Sequence, residues 1–110
     1  MTAAADGSAD ATSGAPVVTR LVVIPNRRGL HARAAAKFVK LVDTFDATIT
    51  VERAGTAVDG RSIMGLMMLG AGPGIELQIC AEGAQAAPAL TALKDLIARG
   101  FDEGPMETPP

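Results

Sequence analysis

The sequence contains no tryptophan and no tyrosine, and its three phenylalanines bring the aromatic share to only 3%. Single-stranded nucleic acid is read largely by stacking bases on aromatic rings, so an RNA-binding sheet is disfavoured and no nucleic-acid partner is expected. There is one cysteine, Cys80, which excludes an internal disulfide. With one histidine, His31, beside it, the three or four nitrogen and sulfur ligands of a zinc site cannot be assembled. No metal and no cofactor are expected. No stretch approaches the roughly 18 apolar residues of a membrane span, and no Lys or Arg precedes Arg20, so neither a membrane helix nor a basic leader is read. The expectation is a soluble cytoplasmic protein without membrane contact.

What is present fits one compact domain, since 110 residues with 48% apolar side chains suffice for one core and not comfortably for two. Residues 1–16 are small and polar without apolar periodicity, and residues 101–110, FDEGPMETPP, are acidic and proline-rich. Both are read as disordered tails that cannot recover their ordering entropy by burial, leaving a domain over 17–100. The tails hold Asp6, Asp10, Asp102, Glu103 and Glu107 and no base, so the domain carries all ten basic residues against seven acids. Six of the ten, Arg20, Arg27, Arg28, Arg33, Lys37 and Lys40, lie between Val17 and Val42 with no acid among them. Such an edge suits an anion or an acidic partner.

Val17 to Ile24 is a β-branched run stopped by Pro25-Asn26 and reads as a strand and turn. Ala35, Phe38, Val39 and Val42 then recur at helical spacing opposite Arg33, Lys37, Lys40 and Thr44, which predicts an amphipathic helix from Ala32 to near Asp43. Ala47, Ile49 and Val51 alternate with polar residues, and Ala54-Gly55 turns the chain into a short strand over Thr56 to Asp59. Ser62 opens a short apolar helix that stops at Gly70 to Gly74, after which Ile75, Leu77, Ile79 and Ala81 mark a fourth strand. Ala86, Ala89, Leu90, Leu93, Leu96 and Ile97 form a last helical stripe, with Pro88 in its first turn and Gly100 as its C-cap. The order β-α-β-β-α-β-α predicts an α+β open-faced sandwich, a four-stranded antiparallel sheet with three helices on one face.

Unrelated functions share such layouts, so the site must decide. His31 falls where the first helix begins, in NRRGLHARAAAK from Asn26 to Lys37. A helix start exposes unpaired N–H groups and partial positive charge, which favour a bound anion over an imidazolium. An uncharged ring there keeps a lone pair to attack phosphorus, and the resulting phosphate faces the amides of Ala32 and Arg33, the Arg33 guanidinium and Arg27 or Arg28. A lone histidine beside a turn is by itself more often an exposed or capping residue. Arg27 and Arg28 read equally well as solubilising loop charges.

Ser62 is a favoured N-cap residue, and the same place accommodates a phosphate against the first-turn amides. In the segment that follows, Leu66 and Leu69 are the expected core residues, which leaves some of Ile63, Met64, Met67 and Met68 exposed as an apolar patch fit for docking. Gly60 to Gly65 has the glycine spacing of a phosphate loop but lacks the Lys-Ser or Lys-Thr that must follow. Cys80 is read as a minor residue of the polar strand face. Asp43, Asp46, Glu52 and Asp59 fall at element ends and indicate no acid/base pair.

GLHARAAAKFV (Gly29 to Val39) followed by SIMGLMML (Ser62 to Leu69) resembles HPr, the phosphocarrier family of the bacterial phosphoenolpyruvate-dependent phosphotransferase system, over about Val17 to Arg99. The 31-residue interval from His31 to Ser62 is the one that family shows between its phosphorylated histidine and its regulatory serine. The resemblance implies a stoichiometric carrier and not an enzyme. His31 would accept a phosphoryl group at Nδ1 from enzyme I and donate it to EIIA-type domains, with Arg33 as the supporting cation. It further implies inhibitory phosphorylation at Ser62 by a serine kinase/phosphorylase, docking through Ile63, Met64, Met67, Arg27 and Arg28, and a monomer. The family usually has Pro where this chain has Ala34. Asn26, five residues before His31, looks more like the nitrogen-regulatory branch or its alphaproteobacterial relatives than the sugar-transporting one. The competing readings are a non-catalytic small-ligand or protein-binding α+β module and an acyl phosphatase that holds phosphate and water on Arg33 and Asn26.

Overall fold

A computed structural model describes residues 17–102. The elements are β1 (Val17–Val23), α1 (Ala32–Val42), β2 (Thr48–Arg53), β3 (Thr56–Asp59), α2 (Ile63–Met68), β4 (Glu76–Glu82) and α3 (Ala86–Ala98). The four strands form one antiparallel sheet in the order β1-β4-β2-β3, with the register running from Val17 opposite Glu82 to Val23 opposite Glu76 on one side of β4. On its other side Thr48 faces Glu82 and Glu52 faces Gln78. The expected order and the single antiparallel sheet are those observed.

Alternation does the sorting. Ile49, Val51, Leu77, Ile79 and Ala81 are buried under the helices, while Thr48, Gln78 and Glu82 point to the open face and are exposed. Helix α1 contributes Ala34, Ala35, Phe38 and Val42 to that core, and α3 contributes all six residues of its apolar stripe. The β2–β3 connection is the two-residue loop Ala54-Gly55, both at positive φ (50° and 90°), the backbone form that matches the twist of a tight hairpin.

Two boundaries differ from the sequence reading. Strand β1 ends at Val23, and Ile24 instead exchanges hydrogen bonds with the loop before β4, its N–H to Ile75 O (3.0 Å) and its carbonyl from Gly74 N–H (2.8 Å). The carboxyl boundary drawn at Gly100 also falls too early. Arg99 is the C-cap of α3 and Gly100, at φ 67°, follows it. Gly100 N–H bonds Ile97 O and Phe101 N–H bonds Leu96 O, the paired bonds of a Schellman turn. That turn drives Phe101 into the core, 1% exposed. Residues 1–16 and 103–110, read as tails, lie outside the described residues.

Candidate functional site at the start of α1

Asn26 begins the loop that leads from β1 to α1, and it is buried (3% exposed). Its side-chain Nδ2 donates to Gly29 O (3.0 Å) while Gly29 N–H donates to Asn26 O (3.1 Å), which closes residues 26–29 into a tight turn. Gly29 sits at φ +66°, and a Cβ there would lie 2.4 Å from Ala71 O and 2.8 Å from Gly72 Cα, so both its freedom and its lack of side chain are required. Leu30 N–H then bonds that same Ala71 O (2.9 Å). The loop before His31 is thereby fastened to the loop after α2.

His31 follows as the N-cap of α1, half-buried, in extended backbone (φ −79°, ψ −179°). Its carbonyl accepts from Ala35 N–H (2.8 Å), and its side chain makes no capping hydrogen bond. The imidazole is therefore not spent on the helix end it stands beside. Arg33, in the first turn, and Arg27 and Arg28, in the loop, are all exposed, and no acid occurs in the first turn of α1. Ala34 is fully buried inside a helix that begins regularly at Ala32, so the absence of proline there leaves the helix start intact. Asn26 is enclosed and bonded to its own loop, which removes it as a holder of phosphate and water.

Ser62 is the N-cap of α2, its Oγ accepting from Gly65 N–H (2.9 Å). Replacing it with alanine should cost about 1 kcal/mol in denaturant unfolding, the usual worth of such a cap. The two helices pack side by side. Arg61, next to Ser62, bonds Asp43 at the far end of α1 (3.0 Å), whereas Ala71, just past the end of α2, meets Leu30 at the start of α1. His31 and Ser62 thus stand at opposite ends of the pair. Of the apolar residues in α2, Leu66 is buried and Ile63 (38%), Met64 (68%), Met67 (39%) and Met68 (79%) are exposed.

Two positioning side chains were missed by the sequence reading. The Arg53 guanidinium donates to Leu69 O (2.7 Å) and Gly70 O (2.9 Å), holding the end of α2 and the segment that leads to Ala71. Arg61 reaches Ala47 O (3.2 Å) as well as Asp43. No helix among the described residues is long and apolar enough to cross a membrane, and among the same residues no group of three or more His, Cys, Asp or Glu side chains is placed to hold a metal ion.

A family model described as the PTS HPr component phosphorylation site matches residues 18–99. The chain belongs to the HPr family. It is similar to the phosphocarrier protein HPr of Pseudomonas aeruginosa, 49% identical over 84 residues that are 76% of this chain and 93% of that protein. It is also similar to the phosphocarrier protein NPr of Shewanella violacea, 40% identical over 84 residues, 76% of this chain and 92% of that protein. The crystal structure of HPr-C-His from Thermoanaerobacter tengcongensis superposes with a TM-score of 0.75 at 41% identity, over 78% of this chain and 97% of that one. The open-faced α+β sandwich is therefore the HPr fold, and the chain is an HPr phosphocarrier of the phosphotransferase system, a carrier and not a catalyst. That sets aside both the acyl phosphatase and the ligand-binding module.

Proposed function

We propose that His31 is the phosphorylated residue of this HPr, taking its phosphoryl group from enzyme I and passing it to EIIA-type domains in the cytoplasm as a monomer. The observation that carries this is the chain's only histidine, placed as the N-cap of α1 with its side chain uninvolved in capping, inside the span matched by the phosphorylation-site family. Nδ1 attacks phosphorus, a P–N bond forms as the donor's bond to phosphorus breaks, and the group of charge near −2 faces the first-turn amides and Arg33. Arg33, in the first turn of α1, is the supporting cation, and Arg27 and Arg28, exposed in the loop before His31, add positive charge and serve partner docking. Ile63, Met64 and Met67, exposed on the helix packed beside α1, make the docking patch.

Within that role we favour a regulatory relay, on the strength of the Asn26 spacing, and a serine kinase acting at Ser62 as a brake. Phosphate at Ser62, at the opposite end of the helix pair from His31, acts on partner docking and not on the imidazole. Ser62→Asp should then slow enzyme I-dependent phosphorylation several-fold with little loss of stability; equal rates for the two proteins would remove the brake from this reading.

The test of the carrier reading is chemical. Incubation with phosphoenolpyruvate and enzyme I of the same organism should add one phosphate that is labile in acid and stable in base. Failure to form that adduct with every enzyme I of the organism overturns the assignment. Parallel transfer assays to each EIIA domain then separate a regulatory relay from a sugar-uptake one.

A further inference from the structure

Beyond Gly100 the chain does not simply leave the surface. Gly100, Phe101 and Asp102 have φ values of 67°, 59° and 59°, a run of left-handed residues of which two are not glycine. Such a turn is held only by its surroundings. Phe101 is buried, its carbonyl accepts from Lys37 Nζ (2.8 Å), and the Asp102 carboxylate bonds Arg99 Nε (2.7 Å) and a terminal guanidinium nitrogen (3.3 Å). The Arg99 hydrogen bonds keep the Asp102 carboxyl below its ordinary range, with its charge and that of Lys37 adding to the effect. The chain is therefore handed off beside the middle of α1, at Lys37.

Lys37 is the centre of a basic stripe. Arg33 and Lys40 lie four residues before it and three after, both exposed, and α1 contains no acid. Asp43 and Asp102 are engaged elsewhere, in ion pairs with Arg61 and Arg99. The residues that follow Asp102 are Glu103, Gly104, Pro105, Met106 and Glu107, two acids and no base. Arg33 and Lys40 are each about 6 Å or less from Lys37 along the helix, and five extended residues span up to about 17 Å. Reach is ample and the charges are complementary.

We propose that the acidic segment from Glu103 to Glu107 docks on the Arg33, Lys37 and Lys40 face of α1 and competes there with acidic partner surfaces, a consequence that rests on the carrier reading while the contact itself does not. Each exposed ion pair is individually weak. Tethering changes the balance, because a short linker holds the segment at millimolar effective concentration, enough to populate a contact of millimolar affinity. The contact is electrostatic and is screened by salt, with a Debye length of about 10 Å at 0.1 M. The device lowers the apparent affinity for weak acidic partners and is displaced by strong ones.

The full chain carrying Met106→Cys and Cys80→Ser, labelled with a nitroxide at position 106, reads the contact directly and leaves both glutamates in place. Amide signals of Ala32–Val42 should be broadened to under half their intensity at about 20 mM salt and should recover at about 0.5 M. Adding Glu103→Gln and Glu107→Gln should abolish the broadening. Absence of broadening on α1, broadening that survives high salt, or broadening centred on α2 or on the open sheet face overturns the proposal. In the unlabelled protein, the double glutamine variant should speed phosphorylation by sub-saturating enzyme I about two- to five-fold at low salt. An unchanged rate beside intact broadening removes the competition. If no phosphate is accepted by any form, the carrier reading fails while the broadening still decides the contact.

Discussion

Replacement of His31 with alanine is expected to abolish phosphoryl acceptance and to leave a folded domain whose melting midpoint moves by no more than a few degrees. The residue does one thing with its backbone and another with its ring. Its carbonyl starts the helical hydrogen-bond ladder at Ala35 N–H, and alanine keeps that bond. The side chain makes no capping hydrogen bond and is only half-buried, so truncation opens no large cavity. With no second histidine in the chain, nothing else provides an imidazole nitrogen to phosphorus. Arg33→Ala gives a graded result for comparison. Loss of one charge-assisted contact to a phosphate is worth roughly 1.5–3 kcal/mol, a rate lowered about 10- to 100-fold with the adduct still formed. Mass spectrometry of the phosphorylated protein, with circular dichroism for the fold, checks both. An acid-labile adduct that persists in His31→Ala means the phosphate sits elsewhere.

The parts of this molecule that were legible beforehand are those whose cause is local. Ile49 and Val51, and Leu77, Ile79 and Ala81, alternate because the pleat alternates, so their burial is written in spacing two. The α3 stripe and the Ser62 cap are equally local. Arg53 and Arg61 were opaque for the opposite reason, because their targets are backbone carbonyls 16 and 14 residues away in sequence. A carbonyl has no residue identity to signal it. Gly29 was visible only as a boundary glycine, whereas its necessity comes from Ala71 O, brought to it by the fold. Asn26, named with phosphate only in the rival acyl-phosphatase reading, is enclosed by the fold as a strut of its own loop. The placement of the proposed site residues was readable because a helix start, a histidine and an arginine in the first turn are adjacent in sequence. Their fastening to the loop after α2 was not.

Phe101→Ala is expected to be among the most destabilising single substitutions in the domain, on a par with truncation of Phe38. The residue looked like part of an acidic, proline-rich tail, and neighbouring composition outweighed one aromatic ring. In the fold its side chain is 1% exposed, one of the two largest fully buried residues together with Phe38. Truncating a buried phenylalanine costs about 3–5 kcal/mol, from lost transfer energy and the cavity left behind. Domain stabilities are typically about 5–15 kcal/mol, so half or more of a modest reserve is removed. For a domain of this size each kcal/mol moves the midpoint by about 4–8 °C, which predicts a fall of at least roughly 12 °C. The turn suffers too, since Phe101 and Asp102 hold left-handed backbone only because the ring is buried and Lys37 binds the Phe101 carbonyl. Phe101→Leu, which restores most of the volume, should recover most of the loss. Removing everything after Asp102 should leave stability nearly unchanged, because it spares the ring and the Lys37 contact. Urea unfolding of the three proteins tests this directly. A loss below about 1 kcal/mol in Phe101→Ala is incompatible with a buried ring and would return the boundary of the domain to Gly100.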